Sequence, residues 1–312
     1  MKSTNATLTE SRTCNWRILS VVSVIATHMT GHDGRQPTVK YKRESTALRK
    51  QLMEETRRRY FRRTRNQKTL STGMTAIAFA SRGPCKLALL ARTPPGEAPY
   101  DEASAKAQAK AELEAAGERA TPAAVRNRIA PLVRAEEARL NLEQMRALGA
   151  EVEFFKVDLS DADGIKQCLD EVRASLGAIG VLVHGAGVEE SRLIADKDDT
   201  AFHRVFDGKA EGGLVLAEAL ESKATLVSMG SVAGRFGNPG QVDYSAANEA
   251  MAQVCIARPH SLHVDWTAWG DVGMAVRGGM DKLLDARGVE MLPAGPGAQL
   301  VVDLVATGVC GE

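Results

Sequence analysis

A chain of 312 residues, 44% hydrophobic and 25% charged, can bury a sizeable core, and these ordinary globular proportions name no function by themselves. The net charge of +1 conceals a split: residues 1–70 carry 16 Lys and Arg against five Asp and Glu, while the remainder carries 24 against 34. The five cysteines (Cys14, Cys85, Cys168, Cys255, Cys310) are scattered, form no CxxC pair and have no metal-ligand spacing with the six histidines. That pattern argues against a disulfide framework or a metal site and for reduced thiols in a cytoplasmic compartment.

In chain order, the apolar run Trp16–Ala26 is too short to span a bilayer and carries Arg17, so no membrane partner is expected. Residues 1–70 lack a sustained strand–helix alternation and read as a basic, disordered extension. Within it, Tyr41–Lys68 crowds Arg57, Arg58, Arg59, Arg62, Arg63 and Arg65 on a stretch compatible with a helix. No base-reading motif accompanies this charge, which reads better as a solvated face than as a nucleic-acid site. From residue 71 to 312 the pattern becomes that of a second unit. Apolar runs at Lys86–Leu90, Glu151–Val157, Ile179–His184, Thr225–Met229 and Ser261–Trp266 predict strands. Helices are predicted near Ala105–Ala116, Pro122–Leu148, Ala162–Leu176, Ala201–Leu220 and Val242–Ala257. This alternation predicts an α/β fold, a doubly wound parallel sheet of Rossmann type with a helical insertion over about 97–150. Ligands of such sheets sit at the carboxyl ends of the strands.

The most informative stretch is SMGSVAGRFGNPGQVDYSAANEA, Ser228–Ala250. Ser231 follows a predicted strand, Tyr244 opens the next helix, and Asn248 lies one turn further on the same face. Lys209 sits on the preceding helix in VFDGKAEGG. Reduction of a carbonyl needs a proton donor for the developing alkoxide and a group that polarises the oxygen. Ser231 suits the second task and Tyr244 the first, provided that a nearby ammonium, Lys209, lowers the phenol from its usual pKa of about 10.

These residues resemble the active site of ketoreductase domains in type I polyketide and polyunsaturated-fatty-acid synthases, a branch of the short-chain dehydrogenase/reductase superfamily. Most of the superfamily places lysine four residues after the tyrosine; the synthase domains have asparagine there and lysine on the previous helix, as Asn248 and Lys209 stand here. The resemblance runs from about Gly73 to the C-terminus. It implies NADPH-dependent reduction of a β-ketoacyl thioester carried by an acyl carrier protein, among the other domains of a larger synthase. Within VLVHGAGV, Gly185, Ala186 and Gly187 match the small-residue turn against which the cofactor lies. Asp158, with Leu159 beside it, matches the acidic residue that contacts the adenine; a helix N-cap is the alternative reading. Arg92 stands where a 2′-phosphate would be paired, or is a surface residue. Ser261–Ala275 resembles the last active-site loop, with Trp266 and Trp269 expected to pack rather than react.

At two places the pattern departs from the family. The glycine-rich phosphate turn is reduced to Gly73-Met74-Thr75-Ala76, with KTLST where its first glycines belong, and no convincing first strand precedes it. The residues after Ala306 stop where a last strand is expected. The chain therefore reads as a fragment of a synthase incomplete at both ends, and an inactive remnant without cofactor affinity is the alternative to an enzyme. Glu189-Glu190-Ser191 and Phe236 meet neither of the family's stereochemical signatures.

Overall fold

The computed structural model describes residues 16–21, 24–26, 71–270, 286, 288 and 290–311. The basic run Tyr41–Lys68 and the end of the Ser261–Ala275 loop lie outside the described residues. Strand β1 (Trp16–Val21) and the short β2 (Val24–Ala26) precede helix α1 (Ser71–Ala80) and strand β3 (Cys85–Ala91). Helices α2 (Glu102–Ala115) and α3 (Pro122–Ala147) lead to β4 (Glu151–Lys156), followed by α4 (Ala162–Leu176) and β5 (Val181–His184). Then come α5 (Asp199–Phe206), α6 (Ala210–Ala219), β6 (Thr225–Met229), α7 (Val232–Phe236), α8 (Val242–Ala257) and β7 (Ser261–Val264). A small parallel pair, β8 (Trp269–Gly270) and β9 (Leu292–Pro293), leads into α9 (Ala294–Thr307).

The main sheet has the order β4-β3-β1-β5-β6-β7, with β2 antiparallel on β1 and every other pairing parallel. This is the doubly wound arrangement predicted from the alternation of elements. One expectation is corrected. The first strand is present: Trp16–Val21 pairs with Cys85–Leu90 on one side, and Leu19 and Ser20 pair with Leu182 and Val183 on the other. Distance in sequence hides this strand, because pairing depends on the chain returning to the sheet and not on how many residues intervene. At the opposite edge Gly311 bridges Leu262, donating to Ser261 O at 2.8 Å and accepting from the amide of His263 at 2.9 Å, so a further parallel pairing begins there.

Alternation along the strands divides the core between the two faces of the sheet. Leu87, Val181, Val183 and Val227 point to a layer with Ile77, Phe79, Val301 and Val302 of α1 and α9. Ala88, Leu90, Leu182 and Leu226 point to the other, with Ile165, Leu169 and Val172 of α4 and Leu216 of α6. Trp266 and Trp269 meet edge to face, ring centroids 5.0 Å apart, inside the first layer, and so pack as expected.

The helix predicted over Ala201–Leu220 is two helices. It breaks at Asp207-Gly208-Lys209, which places Lys209 at the start of α6. Glycines make the following turn possible. A Cβ on Gly212 would fall on the backbone oxygen of Leu159, and one on Gly213 would fall on Met251 Sδ, so α6 can approach the loop after β4 and helix α8 only without those carbons. The insertion over 97–150 is the α2–α3 pair, whose caps are legible in sequence: Asp101 accepts from Ala103 N–H at 3.0 Å and Thr121 from Ala124 N–H at 3.1 Å.

Candidate active site

Two consecutive crossovers deliver chemistry-bearing residues to the carboxyl ends of β5 and β6. Strand β6 ends at Met229, and Ser231, two residues later, caps α7 by accepting from Ala233 N–H at 3.2 Å. Helix α8 begins at Val242 and presents Tyr244 in its first turn. Asn248, wholly buried, donates through Nδ2 to the carbonyl of Tyr244 at 2.7 Å, while its Oδ1 is buried without a partner. A Cβ on Gly234 would sit 2.9 Å from that of Asn248, so α7 and α8 are in close contact beside the tyrosine.

The phenol of Tyr244 is subject to opposing influences. Burial pushes its pKa up, and hydrogen bonding with Ser231 and Asn248 pulls it down less strongly. The net direction is upward, which corrects the sequence expectation of a lowered phenol. Burial is the main cause and the Glu189 carboxylate adds to it, while no opposing pull comes from Lys209. Its buried ammonium is engaged by backbone carbonyls, donating to Met229 O at 2.8 Å and to Ala186 O at 3.5 Å, where it ties the ends of β6 and β5 together. Burial also lowers the ammonium from 10.5 to about 8. Beneath it, the wholly buried His184 donates from Nε2 to Lys209 O at 2.9 Å, and desolvation followed by the nearby ammonium depresses the imidazole to about 3.

The residues matched to a cofactor gather along the same edge. Gly185, Ala186 and Gly187 follow β5, and a Cβ on Gly187 would lie 3.6 Å from Lys209 Cδ. Gly73 lies in the first turn of α1, a helix that runs into β3 through a short turn, so its N-terminus faces the carboxyl edge of the sheet. Arg92 and Asp158 project from the ends of β3 and β4, guanidinium to carboxylate at 4.0 Å, with side chains 68% and 50% exposed. Asp158 accepts from Ser160 N–H at 3.1 Å and Oγ–H at 2.8 Å, whereas the N-cap of α4 is Asp161, so the capping alternative belongs to Asp161. The peptide of Leu159 abuts Gly212.

A family model described as KR domain matches residues 72–271. The chain belongs to the KR domain family. These are the ketoreductase domains of polyketide and polyunsaturated-fatty-acid synthases, with the short-chain dehydrogenase type of fold. Among curated relatives, the KR chain is 30% identical over 195 residues to a polyunsaturated fatty acid synthase of Thraustochytrium sp., covering 61% of this chain and 7% of that one. It is 29% identical over 161 residues to polyketide synthase ThaG of Burkholderia thailandensis, covering 47% of this chain and 3% of that protein. The chain thus spans a small fraction of the length of these relatives. Solved structures share the fold: a ketoreductase from the first module of phoslactomycin biosynthesis in Streptomyces sp. HK803 superposes with TM-score 0.57 at 23% identity, over 78% of this chain and 47% of that one. A short-chain dehydrogenase from Burkholderia cenocepacia J2315 in complex with NADP gives TM-score 0.55 at 17% identity, over 76% and 86%.

Sequence reasoning misses two features of this KR site. Strand β1 escapes it because of its distance from α1. The buried pair Lys197 and Asp243 escapes it because the two residues are 46 positions apart and each alone looks like a surface charge. The one available signal is an acidic residue directly before the tyrosine.

Proposed function

We propose that this KR domain reduces a β-ketoacyl thioester, delivered on an acyl carrier protein, to the β-hydroxyacyl form with NADPH, as part of a multidomain synthase. The observation that carries this reading is the convergence of Ser231, at the start of α7, and Tyr244, in the first turn of α8, at the carboxyl edge of the sheet, with Lys209 and Asn248 buried around them. Tyr244, held as a phenol by burial, keeps its proton until an alkoxide develops. Ser231 donates to the substrate oxygen and so polarises the ketone. Lys209 keeps β5 and β6 in register at the site and contributes positive potential, and Asn248 anchors the first turn of α8.

The cofactor fits the residues present. Arg92 is exposed enough to pair with a 2′-phosphate, Asp158 can accept from an adenine amino group, the 185–187 turn is built of small residues, and the α1 N-terminus with Gly73 offers amide donors for a pyrophosphate. NADPH held there would supply the hydride for the β-carbon, and Tyr244 Oη would give its proton to the ketone oxygen. Four residues, Gly73, Gly185, Ala186 and Gly187, thus line the phosphate and nicotinamide path, and Leu159 flanks Asp158. Among the described residues no helix is long and apolar enough to cross a membrane, and no cluster of metal ligands is found.

KTLST in place of the first glycines of the phosphate turn favours the second reading, an inactive structural domain. The two separate in one experiment. Under the enzymatic reading NADPH fluorescence shifts on binding, a soluble β-ketoacyl thioester is reduced, and Tyr244→Phe lowers turnover by about 100-fold or more while cofactor binding persists. Absence of binding at millimolar NADPH would establish the inactive reading, and wild-type turnover by Tyr244→Phe would remove the assigned proton donor.

A further inference from the structure

Lys197 and Asp243 form an ion pair with both side chains out of solvent, 2% and 0% exposed. Lys197 Nζ donates to Asp243 Oδ2 at 2.5 Å and to the carbonyl of Glu190 at 2.8 Å. The other carboxylate oxygen, Asp243 Oδ1, accepts from the backbone N–H of Tyr244 at 2.8 Å. An unbroken polar chain therefore runs from the segment after β5, through the ammonium and the carboxylate, to the peptide of the tyrosine. The same two segments touch again nearer the surface. The amide of Arg192 donates to Gly240 O at 2.9 Å, and Gln241 Nε2 donates to Glu189 Oε1 at 3.0 Å. Glu190 in turn holds Arg204 of α5 at 2.8 Å.

Stability alone does not account for such a pair. Removing two opposite charges from water costs several kcal/mol for each ion, and apolar residues of similar volume at such places are often as stable or more so. What an apolar pair cannot do is fix direction. A carboxylate with one oxygen on an ammonium and the other on a backbone amide sets the angle of the first helical turn, and the ammonium sets the height of the neighbouring segment against it.

We propose that Lys197 and Asp243 are positioning residues: a buried clasp that locks the 190–197 segment to the first turn of α8 and so keeps the phenol of Tyr244 on Ser231. This rests on the reading of Tyr244 as the proton donor. The clasp touches neither substrate nor cofactor and acts through the backbone of Tyr244. Displacing a reacting group by about 1 Å can cost around 100-fold in rate, so its loss should appear in kcat.

The test uses the whole chain with three variants: Lys197→Met, Asp243→Asn and the charge-neutral double. Five quantities are measured for each: kcat and KM with NADPH and a β-ketoacyl thioester of N-acetylcysteamine, NADPH affinity by fluorescence, unfolding midpoint, and hydrogen exchange over 190–197 and 242–248. Each single substitution should lower kcat by about 10- to 100-fold, with KM and NADPH affinity within about 3-fold of the wild type. The double should be no slower than the slower single, because the two groups act as one unit. A single substitution leaves one charge buried alone, which can unfold the chain. The double variant avoids this: it should match the wild type in unfolding midpoint yet remain slow. Wild-type kcat in the double would overturn the proposal, as would a fall in kcat no larger than the loss of folded protein. If the wild-type chain neither binds NADPH nor reduces the thioester, the functional reading fails and the exchange data still decide the clasp. Both segments losing protection together in the double supports it, and loss confined to one segment overturns it.

Discussion

Arg92 and Asp158 face each other across the ends of neighbouring strands, but at 4.0 Å and with both side chains more than half exposed or close to it, their pairing contributes little. The carboxylate is already held below its usual range by the backbone and hydroxyl of Ser160, with Arg92 the smallest contributor. The guanidinium is therefore open to a dianionic partner. On the proposed reading Arg92→Glu raises the KM for NADPH by about 10-fold or more while that for NADH changes little, since a charge-assisted contact is worth about 1.5–3 kcal/mol. Steady-state kinetics with the two cofactors check this, and equal losses with both would show that Arg92 does not read the phosphate. The same scale shows where residue-level reading stops. Ser231, Tyr244, Lys209 and Asn248 can be named from spacing, yet the state of the phenol cannot, because burial and the carbonyl bonds of Lys209 depend on three separate elements meeting.

At the scale of elements, β1 is the unexpected component. It lies between β3 and β5, where the sheet's order reverses, and so borders the crevice used by ligands in doubly wound folds. Reading the first 70 residues as an extension outside the domain leaves β3 and β5 without their shared neighbour. A chain beginning after Ala26 should accordingly lose cooperative unfolding, because the central backbone groups of β3 and β5 would lie buried without partners. Circular dichroism with urea titration reads this directly. A retained cooperative transition of unchanged midpoint would mean that Trp16–Val21 is dispensable. By contrast, α4, β6 and α8 are readable to the residue, since apolar spacing, the Asp161 cap and Gly177 at the end of α4 are local signals.

For the molecule as a whole, the buried polar layer under the site makes stability depend on pH. His184 titrates at about 3 in the folded state against 6.5 when unfolded, so below pH 6.5 the unfolded chain binds a proton that the folded chain refuses. Stability then falls as the pH drops. Between pH 6.5 and 5.5, above the ordinary values of carboxylates, the loss due to His184 is about 1 kcal/mol. The exposed His203, raised by its hydrogen bond to Asp207, has the opposite sign but is screened by solvent. Urea unfolding at several pH values should show the slope in the wild type and a flat response in His184→Asn; parallel slopes would assign the acid sensitivity elsewhere. At the alkaline end Lys209 acts in the same sense. Its pKa of about 8 lies below the 10.5 of an exposed lysine, so its desolvation penalty is relieved as the pH rises between those values.

What the amino-acid order determined by itself was whatever is written locally. Alternating strands and helices set the doubly wound class, caps set helix starts, and a serine, a tyrosine and an asparagine at fixed spacing marked one edge of the sheet. Tertiary structure decided the rest, for a common reason: the partners are far apart in sequence and meet only when the sheet closes. A strand at Trp16–Val21 finds its place between β3 and β5, Lys209 reaches the carbonyls of Ala186 and Met229, and Lys197 meets Asp243. Burial, which moves Tyr244, Lys209 and His184 from their ordinary pKa values, exists only once the layers have packed.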